Sequence, residues 1–472
     1  MGEIMEVIAQ APQPTIKCYH SIENNRVVPL PVPYQSFTPT SGDTSGRNLQ
    51  SYNFERSLEN FGGSFSFTVR EDTEDLKDPF MDKVQPLDII IISESGYDIK
   101  KDFIGVVTTV SVGGIASNLT KVVTVSGKSI EWLFSYFNID CDIKAMVFNN
   151  ESANRTFLAD LATNDGKEGI SIKDIAIASI KAFREQVSNL ERDAATKSIT
   201  TISNFAIGQL IDVWFGTEPK NYITASDIKA TYPISSNLFT SGKINIIDYL
   251  KKLLPSPIYE IFGYIDEVGM PRIAIREAPF DEPKAKYAIN PTQLTDYTLT
   301  KSCEEVYTAF MTYIEGSDMD PSFYMNLQAA QDTEKGYSFA QPDKAKAAKY
   351  GYQLLTCSFV GFNNDTQSKI DKEGIGIING KLKKWFGNLD EMYTGDFTFV
   401  NVTNSKDIKA VPARIGDWVS FAKGLYYVIS EKHSWTYGDN PMINYQVTRG
   451  GKYTNGVFSP VERLSAVYKE FE

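Results

Sequence analysis

Histidine and cysteine, the side chains best suited to bind metals or act as nucleophiles, are few and scattered in this sequence. The chain has two histidines and four cysteines: His20, His433, Cys18, Cys141, Cys303 and Cys357. A metal site needs closely spaced ligands, such as a Cys-x-x-Cys pair or a His-Glu-x-x-His helix, and neither spacing occurs. Cys357 and His433 stay open as a nucleophile–base pair, but no local motif supports them. The strand-like pattern around His433 favours a structural role for it.

Acidic and glycine-rich motifs offer no better catalytic candidate. Glu304 with Glu305, and Asp318 with Asp320, could supply the two carboxylates of a glycosidase, but adjacent acids are typical of a solvated edge. The glycine-rich stretch 374–381 lacks the preceding strand and the glycine spacing of a phosphate-binding loop, and favours a flexible connection. No Gly-x-Ser-x-Gly nucleophile elbow occurs. We therefore predict that the protein is not an enzyme, and assign no catalytic, cofactor-binding or metal-binding residue.

The composition is that of a large, acidic, globular chain. Among 472 residues, 47 are basic and 59 are acidic, which gives a net charge of −12, and 12% are aromatic. An acidic excess disfavours contact with the nucleic-acid backbone, so we predict no specific nucleic-acid binding. Scattered cysteines and an N-terminus without a signal-peptide pattern indicate reduced thiols in a protein made in a cytoplasm. The length allows roughly three domains.

Two stretches of the sequence follow the same pattern of strands and turns. Near the N-terminus, residues 85–88 (Gln-Pro-Leu-Asp) precede an apolar strand, a turn and two further strands that end at Lys128. Near the C-terminus, residues 414–417 (Arg-Ile-Gly-Asp) precede the same series, which ends at Lys452. The Asp-to-Lys spacings are similar, 128 − 88 = 40 and 452 − 417 = 35 residues. The repeat predicts two copies of one small β-module, with chance similarity between two hydrophobic hairpins as the alternative.

Periodicity elsewhere predicts the elements that connect these modules. Phe65, Phe67 and Val69 alternate with polar residues, which predicts a strand with one apolar face. The patterns also predict amphipathic helices at 130–137 and 246–253, a hairpin at 257–276, and helical stretches at 342–350 and 365–389. The predicted fold class is α+β and multidomain, with two small β-barrel modules separated by a helical segment and a mixed α/β segment.

The predicted organisation has six segments. Alternating prolines and apolar residues near the N-terminus indicate an extended arm. Such an arm is either disordered or lies against a neighbour, and its apolar side chains favour the second. In chain order, the segments are an extended N-terminal arm (1–45), a first β-barrel module (46–130), a mainly helical insert (131–255), a mixed α/β middle domain (256–393), a second β-barrel module (394–455) and a C-terminal tail (456–472).

Five stretches, taken in order, resemble one known family. They correspond to its opening strand pair, its first barrel, the exit from that barrel into helices, its middle hairpin and its closing barrel: 54–67, 86–107, 126–133, 260–280 and 415–449. In order and spacing they resemble the baseplate hub proteins of contractile-tailed bacteriophages and related contractile injection systems, the late-control D-type hub family. The resemblance covers most of residues 50–455, whereas 1–45 and 135–245 match nothing in it.

The resemblance implies a structural role in a large assembly. Family members are homotrimers in which two barrels per subunit form a pseudo-sixfold ring, the baseplate hub. That ring joins the hexameric tail tube above to the trimeric central spike below, and baseplate wedge and tape-measure proteins are further expected partners. The implied location is the tail baseplate of a virion, assembled in the host bacterial cytoplasm. An acidic lumen would let DNA pass without binding it, although the need for solubility explains the net charge equally well.

Two other functions are compatible with the sequence. A carbohydrate- or receptor-binding tail or surface protein would expose an aromatic cluster, for which Trp418 and Trp435 are the candidates. A cell-wall-degrading tail enzyme would carry a fused lytic domain, and no such domain is recognisable in the sequence. The exposure of the two tryptophans therefore helps to distinguish a binding protein from a hub.

Overall fold

The computed structural model describes a chain made mostly of strands. Among its described helices, none combines the length and apolar character that a bilayer span requires. The strand content exceeds what the predicted α+β class implies, because most of the predicted helical insert lies outside the described residues. The described residues are 14–23, 26–27, 32–38, 47–72, 79–94, 101–114, 120–136, 139–140, 176–177, 180–181, 183, 207–225, 243–254, 256–289, 291, 293–315, 337–340, 343–360, 369–401 and 413–461.

The described strands are numbered along the chain. They are β1 Thr15–Tyr19, β2 Ile22–Glu23, β3 Arg26–Val27, β4 Gln35–Phe37, β5 Arg47–Ser57, β6 Ser64–Asp72, β7 Ile89–Ser93, β8 Phe103–Gly114, β9 Thr120–Ser129, β10 Ile139–Asp140, β11 Ile223–Ala225, β12 Lys243–Ile244, β13 Tyr259–Ile265, β14 Pro271–Glu277, β15 Ala285–Ala288, β16 Leu294–Thr300, β17 Ala309–Glu315, β18 Tyr337–Ala340, β19 Leu354–Val360, β20 Tyr393–Val400, β21 Trp418–Phe421, β22 Gly424–Thr436, β23 Met442–Thr454 and β24 Val457–Ser459.

Apart from α1, which lies within the predicted first barrel module, the described helices lie where the sequence pattern predicted helical character, or close by. Side-chain caps start two of them: Asn245 accepts the Asp248 amide hydrogen at 2.8 Å, and Asp343 accepts the Ala345 amide hydrogen at 2.9 Å. The glycine-rich stretch 374–381 lies inside a helix and not in a loop. The helices are α1 Phe80–Lys83, α2 Leu133–Tyr136, α3 Ile207–Phe215, α4 Ile246–Leu253, α5 Lys344–Tyr350 and α6 Lys369–Phe386, with 3₁₀ turns at Ile130–Trp132, Pro219–Asn221 and Leu389–Glu391.

One curled sheet of fourteen strands forms the centre of the described structure. Its main path runs β16-β20-β23-β22-β5-β6-β9-β8-β7-β1-β4, and β15, β21 and β24 pair beside it. Within the described residues, the two predicted barrel modules are parts of this one sheet, because β5 pairs with β22 and joins them edge to edge, and neither module closes on itself. Strand β1, in the predicted arm, pairs with β7 and β4.

Each half of the sheet encloses its own apolar core. Phe65, Phe67 and Val69 of β6 are buried on one face, as the alternation predicts. The core of the first half includes Phe37, Leu49, Tyr52, Phe54, Phe65, Phe67, Val69, Ile90, Ile92, Phe103, Val107, Val123 and Val125. The core of the second half includes Tyr287, Phe397, Phe399, Val419, Phe421, Tyr426, Val428, Ile443, Tyr445 and Val447.

Other parts of the chain cover the outer face of each half. Four isoleucines in a row, at positions 89–92 of β7, are buried, so this strand is packed on both faces. Ile89 and Ile91 contact a cluster contributed by α2–α4, β11, β13 and β14. In the second half, Trp418 and Tyr427 contact a cluster that includes Trp385 of α6. The chain segments inserted between the sheet strands thus support the sheet from outside.

Candidate functional site

The structure does not bring the sequence-predicted nucleophile pair together. His433 Nδ1 lies 2.7 Å from a Glu94 carboxylate oxygen, and the His433 ring stacks on Phe54. Cys357 is buried in a different apolar cluster, beside Trp385, where burial raises the pKa of its thiol to about 12. A protonated, buried thiol away from a base is a packing residue.

The other candidate positions are equally unlike a reactive site. Glu304 and Glu305 are exposed, as expected for a solvated edge, whereas Asp318, Asp320 and Cys141 lie outside the described residues. Within the described ranges, no group of three or more His, Cys, Asp or Glu side chains could hold a metal ion. Trp418 and Trp435 are buried, 3% and 6% exposed, so they do not form a surface aromatic cluster.

The two turns that mark the sequence repeat have the same hydrogen bonds. In the first, the Asp88 N–H donates to the Gln85 carbonyl at 3.1 Å, and the Asp88 carboxylate accepts the Gln85 N–H at 2.9 Å. In the second, Asp417 makes the same two bonds with Arg414, both at 3.0 Å. Each aspartate therefore closes its own turn, from both its backbone and its side chain.

Each turn is then joined to a later strand in the same way. The third turn residue has a positive φ in both cases, 73° for Leu87 and 78° for Gly416. Its N–H donates at 2.8 Å to a valine carbonyl, that of Val107 or Val428 respectively. The same valine returns its N–H to the turn aspartate, at 2.8 Å in the first turn and 2.9 Å in the second. The two aspartates therefore begin the same local structure twice.

The duplication extends to five strands. In pairing order these are β7-β8-β9-β6-β5 in the first half and β21-β22-β23-β20-β16 in the second, and all the pairings are antiparallel. We call β5–β9 module 1, and β16 with β20–β23 module 2. Thus β5 corresponds to β16, β6 to β20, β7 to β21, β8 to β22 and β9 to β23. Two unrelated hairpins would not share this order, so the repeat is structural.

Register irregularities occur at matching places in the two modules. Strand β8 shifts against β9 within 107–109, and β22 shifts against β23 within 428–430. Strand β5 shifts against β6 within 49–51, and β16 shifts against β20 within 294–296. Module 2 has two further shifts, within 425–427 against β23 and within 393–395 of β20. Bulges bend strands and increase twist, so the two shared positions favour similar bending of the corresponding strands.

With the bulges aligned, corresponding side chains match. Tyr52 lies opposite Phe67 in module 1, and Tyr297 lies opposite Phe397 in module 2. Both phenylalanines are almost completely buried. Tyr52 is also buried, 1% exposed, whereas Tyr297 is only half-buried. The difference arises because β5 has a neighbour on both edges, whereas β16 is the last strand of the described sheet path.

The seam between the modules is the pairing of β5 with β22. Residues 51–57 of β5 lie opposite residues 436–430 of β22 in antiparallel register. Backbone bonds continue the ladder beyond both ends: the Leu58 N–H donates to the Ile429 carbonyl at 2.9 Å, and the Tyr437 N–H donates to the Gln50 carbonyl at 2.8 Å. One uninterrupted ladder therefore fixes the two modules relative to each other.

A buried polar cluster around Glu94 crosses this seam. The Glu94 carboxylate accepts hydrogen bonds from Tyr52 Oη and Asn401 Nδ2, both at 2.7 Å, and lies beside His433. Burial, together with the Glu94 charge, raises the pKa of Tyr52. Burial favours neutral His433, but the charge and hydrogen bond of Glu94, together with the charges of Glu431 and Asp102, outweigh burial and raise the pKa of His433. The cluster thus favours a protonated imidazole next to a carboxylate.

A buried ion pair lies next to this cluster. Arg56 of β5 and Glu431 of β22 lie opposite each other, 3.4 Å apart, and both side chains are 4% exposed. The Arg56 guanidinium also donates to the Asp102 carbonyl at 3.2 Å and lies 4.7 Å from the centre of the Phe103 ring. Charged groups buried across a strand pair specify one register, because any slip would leave them unpaired.

A third polar contact attaches the middle hairpin to module 2. Tyr427 Oη donates to the Glu260 carboxylate at 2.6–2.7 Å, and Arg276 pairs with Glu260 at 3.4 Å. Arg276 also donates to the Gly416 carbonyl in the second turn. The β13–β14 hairpin, which follows the helical segment, is thereby fixed to module 2.

Comparison with solved structures finds phage tail proteins. A 43 kDa tail protein of prophage MuSo2 from Shewanella oneidensis is 11% identical, with a TM-score of 0.49 over 95% of this chain and 100% of that chain. The prophage tail protein gp18 from Listeria monocytogenes is 9% identical, with a TM-score of 0.41 over 97% and 98% of the two chains.

A secretion protein is also similar. An Escherichia coli component of the type VI secretion system is 6% identical, with a TM-score of 0.39 over 89% of this chain and 78% of that chain. No protein-family model and no curated protein matches the chain. The solved structures belong to the classes of tail and injection-system protein that the sequence motifs resemble.

Sequence reasoning did not identify all the strands of module 2. It placed the module at 394–455, whereas β16 (Leu294–Thr300) and β15 (Ala285–Ala288) belong to the same sheet. In module 1 a short turn, 58–63, joins the corresponding strands, but in module 2 residues 301–392 intervene. The missed signal was the pattern Leu-x-x-Tyr, shared by 49–52 and 294–297.

Proposed function

We propose that this protein is a structural hub of a phage tail baseplate or related injection system. In this proposal three copies form a ring of six modules, which joins a hexameric tail tube to a trimeric central spike. The observation that carries the proposal is the five-strand module that occurs twice, with the same turns and two shared bulges, in one continuous sheet. Neither module has a role in catalysis that we can identify, and both have the features of a repeated building block.

Symmetry explains why duplication suits such an adaptor. A sixfold tube and a threefold spike do not present the same number of binding faces. A ring built from heterologous contacts closes when each module offers complementary faces related by a fixed rotation. Two equivalent modules in each of three chains would offer six similar faces to the tube.

The segments outside the sheet support the threefold part of the proposal. Module 1 is covered on its outer face by the segment between the modules, through Ile89 and Ile91. Module 2 is covered on its outer face by the inserted segment 301–392, through Trp418 and Tyr427. Modules 1 and 2 therefore have the same strand arrangement but are covered by different segments of the chain. A ring of this kind would be sixfold at the sheet and threefold at its periphery.

The buried tryptophans weigh against the carbohydrate- or receptor-binding alternative, because binding would need an exposed aromatic platform. The proposal places the protein in the tail baseplate, assembled in the bacterial cytoplasm. Tube and spike proteins are its main partners, and wedge and tape-measure proteins are further ones.

The proposal predicts a trimer. Sedimentation velocity or mass photometry of the full chain, alone and with candidate tube and spike proteins, should detect three copies. Electron-microscopy class averages along the axis should show six similar inner lobes and three distinct outer ones. A chain that stays monomeric under all these conditions would contradict the proposal.

A further inference from the structure

We propose that a cavity between α5, α6 and the β23–β24 hairpin binds an acidic peptide segment of a partner protein, with one carboxylate of that segment paired to Arg449. This binding site goes beyond the proposed hub function and does not depend on ring formation. The hub role matters only for the source of the ligand, because a protein that joins other proteins is expected to bind a peptide segment and not a free carboxylate.

The cavity is large enough for a ligand and has an aromatic wall. Its volume is about 500 Å³, within the usual range of ligand-binding pockets. Part of the wall belongs to the apolar cluster that covers the outer face of module 2. An apolar side chain of a ligand would pack against these rings. The aromatic residues of the wall include Phe280, Phe310, Trp385, Tyr453 and Phe458.

The charged residues that line the cavity are mostly basic. Among the described residues, they are Lys346, Lys383, Lys384 and Arg449 against a single acid, Asp343. The Asp343 carboxylate is already used, because it caps the first turn of α5. The chain as a whole has the opposite balance, with a net charge of −12. A basic cavity in an acidic chain favours an anionic ligand.

Arg449 is the buried cation of this cavity, and it is 5% exposed. Its guanidinium carbon lies 3.9 Å from the centre of the Phe280 ring and 4.4 Å from the centre of the Phe386 ring. Within the part of the chain that the structure describes, its one hydrogen bond is donated to the Trp385 carbonyl. A guanidinium has five N–H donors in a planar fork, so most of its hydrogen-bonding capacity stays available to a ligand.

Arg449 keeps its charge but lacks a counter-ion in contact. Burial lowers the pKa of Arg449 to about 10, although the charges of Glu260 and Glu305 act to raise it. Among the described residues, neither of these acids, nor any other, forms an ion pair with Arg449. A buried charge without a counter-ion is unfavourable, and a ligand carboxylate would supply one.

A bulge that module 1 lacks places Arg449 at the cavity. The register of β22 against β23 shifts within 425–427, and Arg449 has a φ of 58°, which is unfavourable for a residue with a Cβ. In module 1 the corresponding strands, β8 and β9, pair without a shift across 105–107. The repeated fold therefore does not require this conformation. Strained residues of this kind are typical of binding sites.

Lys383 is the second cation that is available to a ligand. Lys384 pairs with Asp281 at 2.6 Å, and Lys346 pairs with Asp390 at 2.5 Å. Lys383 is exposed, and its side chain forms no ion pair with any described residue. The free charges of the site are thus one buried arginine and one exposed lysine, which suit a segment with two acidic side chains beside an apolar one.

Residues 462–472 of this chain match the cavity less well. They follow β24, whose Val457 and Phe458 line the cavity, and they lie outside the described residues. They contain three acidic and two basic residues, so their charges nearly cancel. A more acidic segment has better charge complementarity with the cavity, and the expected occupant therefore comes from another protein.

Fluorescence anisotropy of the full chain with dye-labelled peptides tests the class of ligand. The acidic probe is Gly-Glu-Glu-Phe-Glu-Glu-Gly-amide, and the neutral control has Gln in place of each Glu. The acidic probe should bind about tenfold more tightly or better, because its carboxylates form charge-assisted hydrogen bonds. Equal binding of the two peptides would overturn the proposal. Displacement by N-acetylglutamate as effective as by the unlabelled peptide would assign the cavity to a small carboxylate and overturn the peptide ligand.

Substitutions at the cavity test where the probe binds. Lys383→Gln should weaken binding about threefold without changing the melting temperature, because Lys383 is exposed. Lys432→Gln, an exposed lysine of β22 outside the cavity, is the matched control and should leave binding unchanged. Arg449→Lys keeps the charge but loses the planar fork, and should weaken binding about tenfold.

A probe that binds all these variants equally lies elsewhere, and that result would overturn the proposal. If Arg449→Lys does not fold, Lys383→Glu decides the matter, because it reverses a charge at an exposed position. Lys383→Glu should weaken binding more than Lys383→Gln does. Full binding by the folded Lys383→Glu variant would contradict the proposed site.

A further variant distinguishes a partner from residues 462–472. Glu470→Gln with Glu472→Gln should leave probe binding unchanged, whereas tighter binding would show that this segment competes for the cavity and would overturn the assignment to a partner. None of these measurements requires a trimer. Probe binding by a chain that forms no trimers with tube and spike proteins would overturn the hub and leave the site standing. Trimers without specific probe binding would do the reverse.

Discussion

At the scale of single residues, the two equivalent turns adopt the same backbone conformation with different residues, leucine in one and glycine in the other. Leu87 and Gly416 have nearly the same positive φ, a region that costs a residue with a Cβ about 1–2 kcal/mol. Module 1 bears this cost at Leu87, whose side chain packs against the outer apolar cluster. Module 2 uses glycine because a Cβ at position 416 would meet the Arg276 guanidinium and, at 2.9 Å, the Phe262 ring.

Substitution of this glycine should therefore be costly for two reasons. We expect Gly416→Ala to lower the free energy of unfolding by roughly 2 kcal/mol or more, from the positive φ and from the displaced Arg276. Gly438→Ala is the matched control, since its φ is 91° but nothing lies within 4 Å of the added Cβ. Urea unfolding of both variants measures the difference. Equal losses would show that the Arg276 contact contributes nothing.

At the scale of elements, the seam between β5 and β22 buries a charged side chain from each strand. Arg56 and Glu431 are each held by the opposite strand, so their burial depends on the pairing. Removing one member of a buried pair costs more than the pair contributes, because a charge stays behind without its counter-ion. The seam is therefore more sensitive to single than to double substitution.

This sensitivity can be measured. Glu431→Gln should lower the free energy of unfolding by about 3 kcal/mol, because it leaves the Arg56 charge buried. The double variant Arg56→Met, Glu431→Leu should recover much of that loss. Glu55 lies next to Arg56 on β5 but is exposed, so Glu55→Gln should change the free energy of unfolding by less than about 0.5 kcal/mol. A double variant less stable than Glu431→Gln would show that Arg56 stabilises the seam through contacts other than Glu431.

The elements also show what the sequence could and could not reveal. Local signals were sufficient for the β13–β14 hairpin, for α4 and α5, and for the β-meander that follows each turn aspartate. The seam was not predictable, because it depends on a pairing between residues 51–57 and 430–436, which are far apart in the chain. Strand β16 was missed because a long insertion separates it from β20. The polar cluster at Glu94 was missed because its members become neighbours only through the seam.

At the scale of the whole molecule, the shared sheet makes two modules behave as one body. Glu94 and Tyr52 come from module 1 and its flank, whereas His433 and Asn401 come from module 2 and its flank. Apolar clusters on the outer faces attach the inserted segments to the same sheet. A change in protonation at the seam therefore acts on the stability of the joined modules and not on one strand alone.

The raised pKa of His433 predicts how the stability of the joined modules changes with pH. Because the pKa is higher in the folded chain than its ordinary value of about 6.5, protonated His433 stabilises the fold, fully below about pH 6.5. That contribution should be lost as the pH rises through the folded-state pKa, since a neutral imidazole no longer has a charge that the Glu94 carboxylate attracts. Urea unfolding across this range should show a falling free energy in the unsubstituted chain. His433→Gln should remove that part of the pH dependence, and a slope unchanged in the variant would assign the effect to another group.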